Sequence, residues 1–147
     1  ELEDADLKAL LERVTDYIAH RTSDKVKIST HVPDSLPPVR LNVALFEWVI
    51  ENLCKNAVDA MGGVGVLVIS VQETSRYWCI DVVDTGKGID KRYFETVFAP
   101  GYTTKKRGWG LGLSLARRIV VEYHSGSIFV KQSEINKGTI FRIELKK

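Results

Sequence analysis

The run Gly108-Trp109-Gly110-Leu111-Gly112-Leu113-Ser114-Leu115-Ala116-Arg117-Arg118 places the strongest constraint on the fold, because glycines at alternate positions lead straight into a helix-forming sequence. A glycine-rich turn that opens a helix leaves amide N–H groups without intrahelical partners. It also points the positive end of the helix dipole at the space in front of it. Such a backbone suits a bound anion, above all a phosphate. It equally suits a helix with a flexible approach, so its meaning depends on what the chain sets beside it.

The hydrophobic periodicity supplies the surroundings. Leu7, Leu10, Leu11, Val14, Tyr17 and Ile18 recur at helical spacing after the cap candidate Asp6, which predicts an amphipathic helix ending near Arg21. Val26, Ile28, Thr30 and Val32 alternate with Lys27, Ser29 and His31, the period of a half-buried strand that Pro33 stops. After a short extended piece at 39–41, a second long helix is expected from about Asn42 to Met61, ended by Gly62-Gly63. Strands over 66–72 and 77–84 follow as an antiparallel hairpin, closed by Thr85-Gly86-Lys87-Gly88. From Asp90 to Arg107 no period is sustained beyond a short turn around 93–97, which predicts a long functional connection, a mobile lid. A helix from Leu111 to about Tyr123 and two strands, 127–132 and 138–145, complete the chain. The sum is an α/β (α+β) two-layer sandwich, a mixed and largely antiparallel sheet with about three helices on one face.

Composition excludes several classes. At 147 residues the chain has the size of one domain that can bury an apolar core without staples. A net charge of +2, with the single short basic cluster Lys105-Lys106-Arg107, does not mark a nucleic-acid binder. Cys54 and Cys79 lack metal-ligand spacing and sit in apolar runs, which predicts buried thiols in a reducing compartment. No apolar run approaches the roughly 20 residues that span a bilayer, so no direct membrane contact is expected of this stretch.

Three further clusters carry polar chemistry. Asn52 and Asn56 lie at i,i+4 and stack in one stripe with Asp59, at the border of the apolar face made by Phe46, Val49, Ile50, Leu53 and Ala57. Asparagine is a poor helix former, and its amide oxygen is a hard ligand suited to Mg²⁺; the pair could equally hydrogen-bond neighbouring loops. Asp84 ends a strand on the face of Ile80 and Val82, so its carboxylate is aimed at the apolar side and needs a donor. A carboxylate accepts from the exocyclic amine of adenine and repels the carbonyl of guanine; an ordinary Asp-x-Gly turn is the alternative. Tyr102-Thr103-Thr104-Lys105 offers an aromatic face, two hydroxyls and an ammonium, useful to a nucleoside triphosphate or simply a solvated loop. His20, His31 and His124 read as surface or strand-face positions without a catalytic neighbourhood. A P-loop is absent, and the glycines follow a polar connection where a dinucleotide fingerprint needs a strand.

Together, Asn52-Leu53-Cys54-Lys55-Asn56-Ala57, Asp84-Thr85-Gly86-Lys87-Gly88, Val97-Phe98-Ala99-Pro100-Gly101-Tyr102-Thr103-Thr104-Lys105 and Gly108-Trp109-Gly110-Leu111-Gly112-Leu113 resemble four motifs of the GHKL ATPases. In order and spacing they match the N box, first glycine box, F box and second glycine box. Within that superfamily the likeness is to the catalytic, ATP-binding domain of two-component sensor histidine kinases, and it covers essentially the whole chain, implying a Bergerat fold. The resemblance implies ATP and Mg²⁺ as ligands, Asn56 as the metal-binding Asn, Asn52 as its phosphate-side neighbour and Asp84 as the reader of the adenine amine. Lys55, Gly86 and Gly88 belong to the same two boxes, with the glycines lining the base pocket, and Ile89, directly after the second, would join the ATP site. Tyr102, as a lid aromatic near the adenine, and Thr103, Thr104 and Lys105 would be contributed by an ATP lid over 90–109. Gly108, Gly110, Leu111, Gly112 and Leu113 would form the lid hinge and triphosphate turn, and Thr139 would lie near the adenine.

The resemblance also implies a division of labour. Gyrase-type and mismatch-repair-type ATPases carry a Glu four residues before the metal Asn as base for water; Asn52 cannot take a proton at neutral pH, so efficient hydrolysis is not expected. A kinase needs no such base when its nucleophile is an imidazole on another domain. His20, His31 and His124 are followed by Arg21, Val32 and Ser125 where the family's acceptor is followed by an acidic residue. The acceptor is therefore expected on a separate dimerisation domain, from which the first helix (1–22) would continue, with a response regulator downstream. The expected setting is cytoplasmic, alone or as the cytoplasmic portion of a membrane-anchored sensor, and the isolated module is expected to be monomeric. Two other readings are a GHKL serine/threonine kinase of anti-sigma or dehydrogenase-kinase type and a non-catalytic docking module.

Overall fold

The computed structural model describes residues 1–103 and 110–147. Helix α1 spans Leu7–His20 and starts where Asp6 accepts the Ala9 N–H at 3.0 Å; its buried stripe is Leu7, Leu10, Leu11, Val14 and Ile18. Helix α2 spans Val43–Met61, capped by the Asn42 side chain on the Leu45 N–H at 3.1 Å and ended by Gly62 at φ +65°. That left-handed cap is the reason the helix stops where the glycine pair begins. Phe46, Val49, Ile50, Leu53, Cys54 and Ala57 form its buried face.

The main sheet has the order β2-β4-β5-β7-β6, built from β2 (Val26–His31), β4 (Gly65–Glu73), β5 (Tyr77–Asp84), β7 (Gly138–Lys146) and β6 (Ser127–Glu134). Only β2 and β4 run parallel; all other neighbours are antiparallel. The register sets Leu67 opposite Asp84, Ile69 opposite Val82 and Val71 opposite Ile80, and on the other side Phe141 opposite Val82 and Thr139 opposite Asp84. These residues share one face because side chains alternate along a strand, and that face packs the buried stripes of the helices into one core. On the opposite face, Asp81 and Arg142 sit directly across from one another and form a two-pronged ion pair at 2.7 and 2.9 Å. The expected two-layer sandwich is thus present, with α1, α2 and a third helix against one sheet face.

Three features depart from the sequence reading. Glu3–Ala5 (β1) pairs antiparallel with the expected extended piece, Val39–Leu41 (β3), in a small separate ribbon, which seats Ala5, Val39 and Leu41 in the core; the three residues of β1 carry too little period to announce a strand. Helix α3 is α-helical only over Gly112–Arg118 and then widens into a π turn, Ile119–Tyr123. His124 is not on the surface: it is 8% exposed, edge-on to Phe46 at 5.5 Å. Its Nε2 accepts the Asn42 N–H at 3.0 Å, so Nδ1 carries the proton and donates to Ile119 O, five residues back, also at 3.0 Å. The ring thereby ties the end of the widened turn to the start of α2. Cys54 and Cys79 are both buried free thiols, as expected.

Candidate functional site

The second half of α2, the C-terminal end of β5, the β6–β7 turn and the start of α3 enclose a cleft of about 790 Å³. Asn52, Asn56 and Asp59 line one wall from α2, and Asp84 and Thr139 lie at the sheet end. Gly88, Ile89, Tyr102, Thr103, Gly110, Leu111, Gly112 and Leu113 complete the expected lining. Lys55 is exposed and Gly86 lies behind Asp84, so neither lines the cleft. Thr104, Lys105 and Gly108 fall outside the described residues.

At the closed end, Asp84 is 5% exposed, and its carboxylate accepts the Gly86 N–H at 2.8 Å. Burial pushes this carboxyl above its usual range, and amide donation from Gly86 and Thr139 works against that rise. The loop behind it is held from both sides. Lys87 N–H donates to Ala60 O of α2 at 2.9 Å, and Lys87 O accepts from Asn136 of the β6–β7 turn at 2.7 Å. A Cβ on Gly88, at φ +79°, would stand 2.2 Å from Glu134 O, so only glycine lets the turn pass this close. Ser133 adds a bond not foreseen from the sequence: its Oγ accepts the Ile89 N–H at 2.7 Å and meets Thr139 Oγ1 at 2.7 Å. A serine near the end of an edge strand carries no local signal for that role.

At the other end, Asn56 Nδ2 donates to Asn52 Oδ1 at 3.4 Å, confirming the i,i+4 stacking of the two amides. A Cβ on Gly112 would lie 2.5 Å from the Asn52 amide nitrogen. The missing side chain therefore lets the first turn of α3 touch Asn52. Gly101 N–H donates to Gly110 O at 2.9 Å, which joins the two limbs of the long connection at its neck. Tyr93 and Tyr102 stand 6.2 Å apart at the mouth, and Ile135, exposed at the tip of the β6–β7 turn, completes the apolar rim. Tyr93 and Ile135 were not singled out because each sits in a segment without period. Among the described residues no group of three or more His, Cys, Asp and Glu is placed to hold a metal.

The cleft therefore sets a buried acceptor at one end and paired amides with a glycine-rich helix start at the other. Such a site is shaped for a flat base with an anionic tail. Solved structures share this architecture. The nucleotide-free catalytic domain of the histidine kinase ThkA superposes with a TM-score of 0.89 at 26% identity, covering 100% of this chain and 96% of that one. Among curated proteins, the sensor histidine kinase ZraS of Escherichia coli (strain K12) is 32% identical over 145 residues, 98% of this chain and 31% of its own length. Sporulation kinase D of Bacillus subtilis (strain 168) is 40% identical over 97 residues, 66% of this chain and 19% of its own length. The chain thus spans about a third or less of these relatives. Residues 42–147, which hold every wall of the cleft, match the model of the histidine kinase-, DNA gyrase B-, and HSP90-like ATPase family, and the chain belongs to that family.

Proposed function

We propose that this chain binds Mg·ATP in the cleft and presents the γ-phosphate to a histidine on a separate dimerisation domain, as the catalytic module of a sensor histidine kinase. The observation that carries this reading is the combination of Asp84, buried at one end, with the paired amides of Asn52 and Asn56 at the other, where Asn52 stands against the Gly112 turn. Asp84 would accept the adenine amine while the Gly86 and Thr139 amides hold its carboxylate in place. Tyr102 would stand near the adenine, and Thr103 and the Gly110–Leu113 turn, with Thr104, Lys105 and Gly108 outside the described residues, would contact the triphosphate. The ligand set for a metal is the amide oxygen of Asn56, next to Asn52, and a Mg²⁺ there would neutralise charge on the phosphates. The chain's own residues then act by positioning: they fix the base and hold the phosphate tail in line.

Asn52 distinguishes transfer from hydrolysis. An amide cannot deprotonate water, and Glu51, the adjacent carboxylate, is not among the residues lining the cleft. The relatives named as histidine kinases, ZraS and ThkA, support the acceptor being an imidazole. A structure of ThkA with the response regulator TrrA, TM-score 0.85, supports a response regulator as the downstream partner. In this reading residues 1–22 connect to the dimerisation domain and 90–109 form the lid. The location in this reading is cytoplasmic, where ATP is, alone or as the cytoplasmic portion of a membrane-anchored sensor.

Calorimetric titration with Mg·ATP and Mg·GTP tests the binding half of the proposal. Saturable ATP binding, absent for GTP, is expected, and Asn56→Ala should lose about tenfold or more in Mg²⁺-dependent affinity, the equivalent of 1.4 kcal/mol. Equal binding of ATP by Asn56→Ala would remove the site assignment. The transfer half is tested with the dimerisation domain of the parent kinase and labelled ATP: acid-labile phosphate on the acceptor supports a histidine, and acid-stable phosphate would point to serine or threonine.

A further inference from the structure

Arg117 lies on α3, outside the cleft, and joins that helix to the 95–98 segment and to β6. Its guanidinium grips Glu95 with both outer nitrogens, Nη1 on Oε1 and Nη2 on Oε2, the latter at 3.3 Å. Nη2 also donates to Ile128 O of β6 at 2.9 Å. The same planar group stacks on Phe98, with Cζ 3.8 Å from the ring centroid. Phe98 is 4% exposed and meets Phe141 edge-on at 6.0 Å, and Phe141 together with Val97 lines the cleft. Through this bond Arg117 holds the Glu95 carboxyl below its ordinary range. A guanidinium suits the post because its fork satisfies a carboxylate and a carbonyl while its face covers an aromatic ring.

We infer that Arg117 is a positioning residue for the phosphate-binding half of the cleft: it fixes the 95–98 segment against α3 and β6 and so sets where Thr103 and the Gly110–Gly112 turn stand. This rests on the nucleotide reading given above. The base-binding half depends on other bonds, those of Asp84, Gly86, Lys87 and Ser133. Loss of Arg117 therefore weakens the hold on phosphates and spares the hold on the base.

The test compares ATP with adenosine, the latter followed by NMR titration because it reads weak binding, on the chain and on Arg117→Ala, Arg117→Lys, Glu95→Gln and the double variant Arg117→Ala/Glu95→Gln. Arg117→Ala is expected to lose about tenfold in ATP affinity while adenosine affinity stays within about twofold. Arg117→Lys keeps the charge and the contact with the ring but not the fork, so it restores part of the loss. Because Glu95 acts through Arg117, the double variant falls no further than Arg117→Ala. An equal proportional loss of ATP and adenosine, or an unchanged ATP affinity in both single-site changes to Ala and Gln, overturns the assignment. Should Arg117→Ala fail to fold, Arg117→Lys and the exposed change Glu95→Gln carry the same comparison. A parent chain that binds adenosine and not ATP, or neither, brings down the nucleotide reading and this assignment with it.

Discussion

Asp84 serves two opposed demands. To recognise an amine it must be ionised, and to do so selectively it must be shielded from water, which penalises ionisation. The chain meets the conflict by aiming backbone amides of Gly86 and Thr139 at the carboxylate, while burial still leaves its affinity for a proton above the usual carboxylate value of 3.8. Two consequences follow from the sign of that rise. ATP affinity is expected to fall on acidification at a pH above 3.8, and a pH series of titrations should place the midpoint there. Between 3.8 and its folded value the carboxyl binds more protons folded than unfolded, so its ionisation costs stability as pH rises through that window. Asp84→Asn removes this cost and keeps an oxygen for the Gly86 N–H. The variant should lose ATP binding without losing thermal stability, and a melting curve beside the titration reads both. The face on which Asp84 lies was legible from strand alternation alone, and Thr139 from the family resemblance; Ser133 and its bond to Thr139 were not, because that pairing depends on how the β6–β7 turn folds back on Ile89.

Helix ends, more than helix middles, decide what this fold can do. The start of α3 reaches Asn52 only because residue 112 lacks a side chain. An alanine there favours the helix by about 1 kcal/mol in intrinsic propensity, while its methyl group would stand 2.5 Å from the Asn52 amide and push that flexible side chain aside. Gly112→Ala is therefore expected to melt no lower than the parent and to bind ATP at least about tenfold more weakly; a joint loss of both would contradict the argument. At the opposite end of the same helix, His124 joins the π turn to the start of α2 through a neutral ring. Burial lowers its pKa below the usual 6.5. The folded chain then binds fewer protons than the unfolded chain in that window, so the His124 contribution is present above pH 6.5 and is lost as pH falls. Melting temperatures between pH 7.5 and 5.5 are expected to drop more steeply for the parent than for His124→Gln, with His20 and His31, both exposed, common to the two. The helical period predicted α1, α2 and the existence of α3; the π turn escaped it because one widened turn at a helix end leaves the hydrophobic pattern unchanged.

At the scale of the molecule, the cleft is a seam between layers. Its walls come from α2, from the sheet end at Asp84 and Thr139, and from the connection that α3 and Arg117 hold in place. The helices and the hairpin were legible because each repeats a period over many residues. The β1–β3 ribbon and the Glu95–Arg117 bond were not, because each joins short segments distant in sequence. A ligand that touches every wall binds only the assembled chain, so it adds to the stability of the whole by mass action. At a free ligand concentration about 100 times Kd that addition is about 2.7 kcal/mol. For a chain near 150 residues it corresponds to a rise in Tm of roughly 5–10 °C. Thermal unfolding is expected to shift by that amount with Mg·ATP and not with Mg·GTP. Chelation of Mg²⁺ should shrink the shift in the parent and leave that of Asn56→Ala almost unaffected. A shift that ignores the base would move recognition away from Asp84, and one that ignores the metal would move it away from Asn56.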